Sequence, residues 1–273
     1  MTADRPLGPG RCGVWTSTLE AAPSEHDLRA DLSADELARA DRFRRSDDRA
    51  RFVAGRAGLR RLLGHLLGRP AASLRFSCGG LGKPSLVREP GAPDLRFNVS
   101  HSGDLVAWAV ALGRDVGVDV ERVRADRVDD DVLQAALSPA ETRRLSALSE
   151  ADALGAFFAC WTAKEAYAKA LGDGLSVDFR RLDVLATLKR DGRVVLRSPG
   201  GDPSVTVGAL PAPNGYRAAS AHLGEPPGAV SDGDRGRVEP FDWRLLPPPH
   251  SAVPPSATPG VSVPERTSGL RYA

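Results

Sequence analysis

The sequence predicts an α+β fold built from two pseudo-equivalent α/β halves with a cleft between them. Three observations lead there. Two helix-start signals of one kind recur, each is followed by a long helical pattern, and each pattern gives way to short alternating β-like runs. The 273 residues suffice for one large domain or for two of about 100 residues, with a core that folds without disulfides or metal staples.

The start signals are Leu32-Ser33-Ala34-Asp35-Glu36 and Leu137-Ser138-Pro139-Ala140-Glu141, 105 residues apart. Each puts a serine three residues before a glutamate, the spacing at which the two satisfy each other's backbone donors at a helix N-terminus. Longer helical patterns follow near 47–67 and 151–171, the second ending at Gly172, where a left-handed cap is expected. Strands are expected at 74–77, 96–100 and 105–111 in the first half. In the second they are expected at 116–121, 182–188, 193–197, 205–208 and 216–221. Most are short, alternating and separated by Gly, Pro or Asp, which favours antiparallel sheets over a parallel βαβ series. The halves are drawn at 1–111 and 112–223.

Residues 224–273 read as a Pro-rich, mostly disordered tail. Ten of the 22 prolines fall there, and so polar a segment buries too little apolar surface to offset its ordering entropy. Phe241, Trp243, Leu245 and Leu246 stand out in it as a docking patch.

Hydrophobic residues at 41% and charged residues at 26% fit an ordinary soluble fold. The formal charge of +2 argues against a nucleic-acid binder. One segment departs from that balance: nine arginines against three aspartates between Arg39 and Arg61 suggest an anionic partner. Cys12, Cys78 and Cys160 are odd in number and lack CxxC or Cys/His spacing, so reduced thiols are expected rather than zinc ligands. No charged start with an apolar run opens the chain, and no stretch nears the roughly 20 apolar residues of a membrane span. A cytoplasmic location and no membrane partner are expected.

Three constellations carry chemistry. In Val116-Gly117-Val118-Asp119-Val120-Glu121, strand alternation points Asp119 and Glu121 one way and the valines the other. The plain reading is an exposed charged pair beside Arg122 and Arg124; the functional one is two carboxylates that need a proton or a cation. In the helix containing Trp161-Thr162-Ala163-Lys164-Glu165-Ala166-Tyr167-Ala168-Lys169, Trp161, Glu165 and Lys169 recur every four residues and form a stripe. A surface pair explains Glu165 and Lys169 alone, but not the large ring of Trp161 on the same stripe. If Glu165 joins Asp119 and Glu121, an all-carboxylate set suits Mg²⁺, which keeps positions open for water and phosphate. In Phe97-Asn98-Val99-Ser100-His101-Ser102, Ser100, His101 and nearby amides are candidates to hold phosphate oxygens, against a purely structural His at a strand end. Gly82-Lys83-Pro84 adds a turn that presents a lysine.

In order, the segments GKP (82–84), FNVSHS (97–102), GVDVE (117–121) and WTAKEAYAK (161–169) resemble the larger, surfactin-synthetase-activating class of 4'-phosphopantetheinyl transferases, over roughly residues 12–222. The resemblance implies a pseudo-twofold pair of α/β halves with coenzyme A bound between them. It implies transfer of 4'-phosphopantetheine to a serine of an apo acyl or peptidyl carrier protein, releasing 3',5'-ADP. It also implies Asp119, Glu121 and Glu165 as Mg²⁺ ligands. Lys169, His101, Ser100 and Lys83 would contact coenzyme A, and Arg51 its 3'-phosphate. Glu165 would be the base, aided catalytically by Lys169 and His101, with Lys164 a further candidate. Arg39 matches a basic position of the family, whereas Glu36 occupies another. Two fused halves would complete the cleft in a monomer, with no nucleic-acid partner.

Rival readings exist. A Mg²⁺-dependent nuclease shares the acidic set but wants a strongly basic surface. A serine hydrolase on Ser100 or Ser102 lacks a G-x-S-x-G elbow, and His101 points away from its neighbours on a strand. A non-catalytic module would not require three carboxylates.

Overall fold

The computed structural model describes residues 7, 12–78, 83–172, 177–197, 204–224, 238–241 and 243. The first half runs β1 (Cys12–Thr18), α1 (Glu25–Arg29), α2 (Ala34–Ala40), α3 (Ser46–Leu67), β2 (Phe76–Cys78), β3 (Pro84–Leu86), β4 (Leu95–Ser102) and β5 (Leu105–Leu112). The second runs β6 (Val116–Arg122), α4 (Asp130–Ala136), α5 (Pro139–Leu145), α6 (Glu150–Leu171), α7 (Leu185–Asp191), β7 (Arg193–Arg197), β8 (Ser204–Leu210) and β9 (Tyr216–Leu223). A last strand, β10 (Val238–Pro240), follows.

The α+β architecture of two similar halves is present. One sheet has the order β10-β1-β5-β4, the other β6-β9-β8-β7, and β2 and β3 form a hairpin. Within the four-stranded sheets every pairing is antiparallel except β10 with β1. β1-β5-β4 therefore repeats as β6-β9-β8. Each half packs one 22-residue helix on its sheet, α3 in the first and α6 in the second. Both helices end on a glycine with positive φ, Gly68 at 63° and Gly172 at 79°, a conformation open to a residue without Cβ.

Between the sheets lies a third core cluster. Leu105, Ala107, Ala109 and Ala111 from one face of β5 meet Val116, Val118 and Val120 from β6. The alanines are small enough to bring the two sheets close. β5, buried almost throughout, has helix on one face and sheet on the other, so its run reads as continuously apolar.

Both capping boxes form, and each glutamate does more than cap. Glu36 accepts from the Ser33 amide at 3.0 Å and binds Arg60 of α3 at 2.6 Å and Arg56 at 2.9 Å. Glu141 accepts from the Ser138 amide at 2.9 Å and binds Lys164 of α6 at 2.5 Å, with both side chains wholly buried. Arg60 also donates to the carbonyls of Ala71 and Leu74, Lys164 to those of Ala136 and Phe179. One device thus ties the short capped helix to the long helix in each half.

Several expectations change. The strand expected at 182–188 is the helix α7, preceded by a short 3-10 turn. Leu182, Val184 and Leu185 are buried there, and Gly192 at φ 66° closes the helix. Alternation over so few residues does not separate the two states. β1 had no counterpart among the expected strands. In the expected tail, β10 is paired and Phe241 and Trp243 are buried in the first half's core. Gly82, Leu245, Leu246 and the rest of the tail (225–237, 242 and 244–273) lie outside the described residues. Most of the Arg39–Arg61 charge is used internally. Arg49 pairs with Glu25, Arg51 with Asp48, Arg56 and Arg60 with Glu36, and Arg61 with Asp31. Arg39 lies 5.0 Å over the Phe52 ring. Arg42, Arg44 and Arg45 are exposed.

Lys164→Met leaves Glu141 buried beside an apolar side chain, an arrangement expected to cost about 3–5 kcal/mol in urea unfolding. Lys164→Met with Glu141→Leu should recover most of that loss. A single-variant loss below about 1 kcal/mol would contradict the role of the pair.

Candidate active site

The site begins with a residue that has no side chain. A Cβ at Gly117 would stand 2.1 Å from the Ala166 carbonyl oxygen and 2.6 Å from the Ala170 amide nitrogen, so only glycine lets the α6 backbone rest against β6. On that contact, the next residues of β6 on the same side, Asp119 and Glu121, face the Glu165 and Lys169 turns of α6. Trp161, one turn earlier on the stripe, packs between Phe157 and Phe179, at centroid distances of 6.1 and 6.0 Å. The stripe therefore passes from core to chemistry along one helix face.

Asp119 is 2% exposed, which removes the reading of a solvated charged pair. Its Oδ1 accepts from Lys169 Nζ at 2.5 Å and from Ser100 Oγ at 2.9 Å. Its Oδ2 is buried without a hydrogen-bond partner. Glu121 Oε2 accepts from Ser102 Oγ at 2.6 Å. Glu165 is half-buried between them electrostatically: Asp119 opposes its ionisation and Lys169 favours it.

All three carboxyls are pushed above their ordinary range, and burial is the first cause in each. For Asp119 the Lys169 ammonium and the Ser100 hydroxyl pull the other way. For Glu121, Ser102 opposes the shift while Asp119 and Glu165 add to it. The three are coupled, and each resists carrying its charge unaided. Among the described residues no group of three His, Cys, Asp or Glu side chains already stands in a metal-holding arrangement. The Lys169 ammonium is the cation that meets Asp119 here.

The two sheets meet edge to edge at β4 and β6 without a backbone ladder. Asn98 Oδ1, Ser100 Oγ and Ser102 Oγ accept from the amides of Val118, Val120 and Arg122 at 2.9, 3.3 and 3.1 Å. Three alternate side chains of one strand thus replace the carbonyls that a β-partner would offer. The two serines use their hydroxyl protons on Asp119 and Glu121, so the joint between the halves also orients the acids.

Ser100 and Lys169 join Asp119 directly, and Lys169 Nζ lies 3.3 Å from Ser100 Oγ. His101 points to the other side of β4 and is exposed. Loss of hydration, then Arg51 and Lys169, hold its imidazole below the ordinary value, so it is mainly neutral at pH 7. Arg51 donates from Nε to the Gly103 carbonyl at 2.6 Å and from Nη1 to Asp48 at 2.9 Å. This places it at the turn beyond FNVSHS. Tyr216 grips the same turn from the second half, its hydroxyl accepting from the Asp104 amide at 3.1 Å. Lys83 arrives elsewhere: its ammonium donates to the carbonyls of Lys169 (2.7 Å) and Val116 (3.2 Å), at the last turn of α6, and burial lowers its pKa. Lys164, considered as a catalytic contributor, is locked in the core against Glu141.

Sequence reading did not single out Asn98, Tyr216 or Gly117, and it considered Ser102 only as the nucleophile of a rival hydrolase. For Asn98 and Ser102 a signal existed: Asn, Ser and Ser at every second position make one strand face wholly polar where a sheet face would alternate with the core.

Comparison with known proteins finds the 4'-phosphopantetheinyl transferase superfamily pattern over residues 115–221 and the 4'-phosphopantetheinyl transferase N-terminal pattern over 20–112. 4'-Phosphopantetheinyl transferase HetI of Nostoc sp. is 39% identical over 60% of this chain and 69% of its own. The chain belongs to the 4'-phosphopantetheinyl transferase superfamily. Its reaction is the family's, transfer of 4'-phosphopantetheine from coenzyme A to an apo-carrier protein. A 4'-phosphopantetheinyl transferase of Bacillus subtilis is 28% identical over 76% of this chain and 89% of its own. The transferase Sfp of Bacillus subtilis (strain 168) is 26% identical over 69% and 80%. Each half of this transferase matches its own pattern, the boundary falling between β5 and β6, while β10 lies beyond both. Among the described residues no helix is long and apolar enough to cross a membrane.

Raised carboxyl pKa values have a sign in stability. The folded transferase binds protons more tightly than the unfolded chain at Glu121 and Glu165, so in metal-free buffer stability should fall as pH rises from 4.5, the ordinary glutamate value, through their raised values. Glu165→Gln should flatten that fall and raise Tm at pH 7.5 by about 2 °C or more, read by calorimetry with EDTA. An unchanged Tm profile would refute the strain assigned to Glu165.

Proposed function

We propose that Asp119, Glu121 and Glu165 hold Mg²⁺ in the cleft, and that Lys169, His101, Ser100, Arg51 and Lys83 contact coenzyme A. The observation that carries this is the buried, unpartnered Oδ2 of Asp119. A carboxylate oxygen accepts only, so an unfilled one inside the protein calls for a cation or a water. The residues fit a hard divalent ion: three carboxyls on two elements packed through Gly117, with no soft donor among them. When bound, such an ion would supply positive charge to the coenzyme A diphosphate and to the leaving 3',5'-ADP.

The chain's own groups divide the remaining work. Lys169 offers its ammonium to phosphate oxygens. Neutral His101 donates an N–H to the same anion, and Arg51 carries positive charge at the turn beside it for the 3'-phosphate. The carrier serine hydroxyl attacks the phosphorus bearing pantetheine; an O–P bond forms, the P–O bond to ADP breaks, and the bond pair leaves with ADP. Glu165 accepts the serine proton as the general base. Lys83, engaged at the end of α6, reaches coenzyme A only by giving up those carbonyls.

We read residues 1–111 and 112–223 as the two halves that form the cleft and 224–273 as an appendix to them. The carrier is of acyl or peptidyl type, serving fatty-acid, polyketide or nonribosomal-peptide synthesis. The working form is a cytoplasmic monomer.

Asp119→Asn should lower kcat/KM at least about 100-fold with an intact fold, measured by intact mass of a panel of apo-carriers given coenzyme A and buffered Mg²⁺. Wild-type activity should vanish with EDTA and return with Mg²⁺. Full activity of the variant under buffered Mg²⁺ would end the metal assignment. Lys169→Ala should lower kcat/KM for coenzyme A by about 10²-fold or more. An unaltered value excludes its phosphate role.

A further inference from the structure

Strand β1 and helix α3 of the first half correspond to β6 and α6 of the second at a constant spacing of 104 positions. Gly13 and Gly117, Trp15 and Asp119, Ser17 and Glu121, Arg61 and Glu165, His65 and Lys169, Gly68 and Gly172 occupy equivalent places on β1/β6 and α3/α6. The first half therefore contains the scaffold of a second cleft, with different side chains. In the functional cleft, β4 lies along the free edge of β6. In the first half the corresponding edge of β1 is taken by β10, in parallel register Val14 to Val238, Trp15 to Glu239 and Thr16 to Pro240.

The chain beyond β10 enters that second cleft. The Phe241 amide donates to the Thr16 carbonyl at 2.8 Å. Trp243 Nε1 donates to Ser17 Oγ, the counterpart of Glu121, at 2.9 Å. The guanidinium of Arg61, the counterpart of Glu165, lies 5.7 Å from the Trp243 ring centre. Phe241 and Trp243 are each 8% exposed and close on Trp108, with centroid separations of 4.7 Å and 5.9 Å. Trp243 thus lies between the positions that, in the other half, hold the outer two carboxylates.

We propose that Val238–Pro240 with Phe241 and Trp243 forms an intramolecular plug, which fills the first half's copy of the cleft and closes the β1 edge against a second copy of this chain. An uncovered edge strand is a template for pairing with another chain. The edge at β6 accepts a β4 strand, and every copy of the chain carries a β4. Blocking β1 from inside leaves one open cleft per chain and a monomer. The inference does not depend on which groups bind coenzyme A or metal.

The test uses full-length Trp243→Ala, Phe241→Ala with Trp243→Ala, and Trp243→Phe, which keeps a ring but loses the bond to Ser17. Amide exchange in β1 should speed at least about tenfold in the alanine variants while β9 in the second half is unchanged, with Trp243→Phe intermediate. Mass by light scattering should rise with concentration toward a dimer. A synthetic peptide spanning 237–244 should restore both β1 protection and monomer mass, which separates loss of the plug from general unfolding. Unchanged β1 exchange in both alanine variants overturns the plug. A monomer at every concentration, with β1 unprotected, overturns the block to a second copy. Loss of protection in both halves that the peptide does not reverse also overturns the proposal.

Discussion

The candidate site depends on one contact, the α6 backbone lying against β6 at Gly117. A methyl group there would meet the Ala166 carbonyl at 2.1 Å and force helix and strand apart. Everything polar in the cleft is measured from that contact. Lys169 reaches Asp119 at 2.5 Å because the helix is this close, and Glu165, one turn away, is brought within the field of the same carboxylate. The separation also fixes the electrostatics: three acids crowd a desolvated patch, burial raises each of them, and Asp119 adds to the shift at Glu121 and Glu165. A site strained in this way is stabilised by whatever brings positive charge to it.

The halves are joined in a manner suited to that site. An ordinary β ladder between β4 and β6 would have occupied the β6 amides with backbone carbonyls and left Ser100 and Ser102 with no duty toward the acids. Side chains of Asn98, Ser100 and Ser102 take the amides instead. A serine hydroxyl accepts and donates at once, so each one links the first half to both the backbone and the carboxylate of the second. Movement of one half against the other would therefore shift Asp119 and Glu121 directly.

Much of this was legible in the sequence, and the parts that were not have physical reasons. The capping boxes at Ser33 and Ser138, both long helices and the Gly172 cap depend on local chemistry, so they appear where local signals place them. Strand alternation correctly put Asp119 and Glu121 on one side of β6, and helical spacing put Trp161, Glu165 and Lys169 on one face. The helix at 185–191 was missed because seven residues carry too little periodicity to separate helix from strand. Nothing local distinguishes Lys164 from Lys169, although one is sealed against Glu141 in the core and the other faces the cleft. Their fates are set by rotation about the helix axis and by partners 23 and 50 residues away. The arginine-rich stretch misled for a related reason: the anions that meet Arg56, Arg60 and Arg61 are Glu36 and Asp31 of the same half, brought to them only by folding.

The same scaffold, used twice, has been given opposite chemistry. At matched positions the second half carries Asp119, Glu121, Glu165 and Lys169, whereas the first carries Trp15, Ser17, Arg61 and His65. The acids of the second half sit in a desolvated patch where burial disfavours their charged forms. A tryptophan, a serine and an arginine already paired with Asp31 need only an aromatic ring and a donor, and Trp243 provides both. Where charge is balanced within the chain, burial of apolar surface is free to fill the space. One fold thus yields an acidic face in one half and an aromatic-filled face in the other, by the choice of a few side chains facing each long helix.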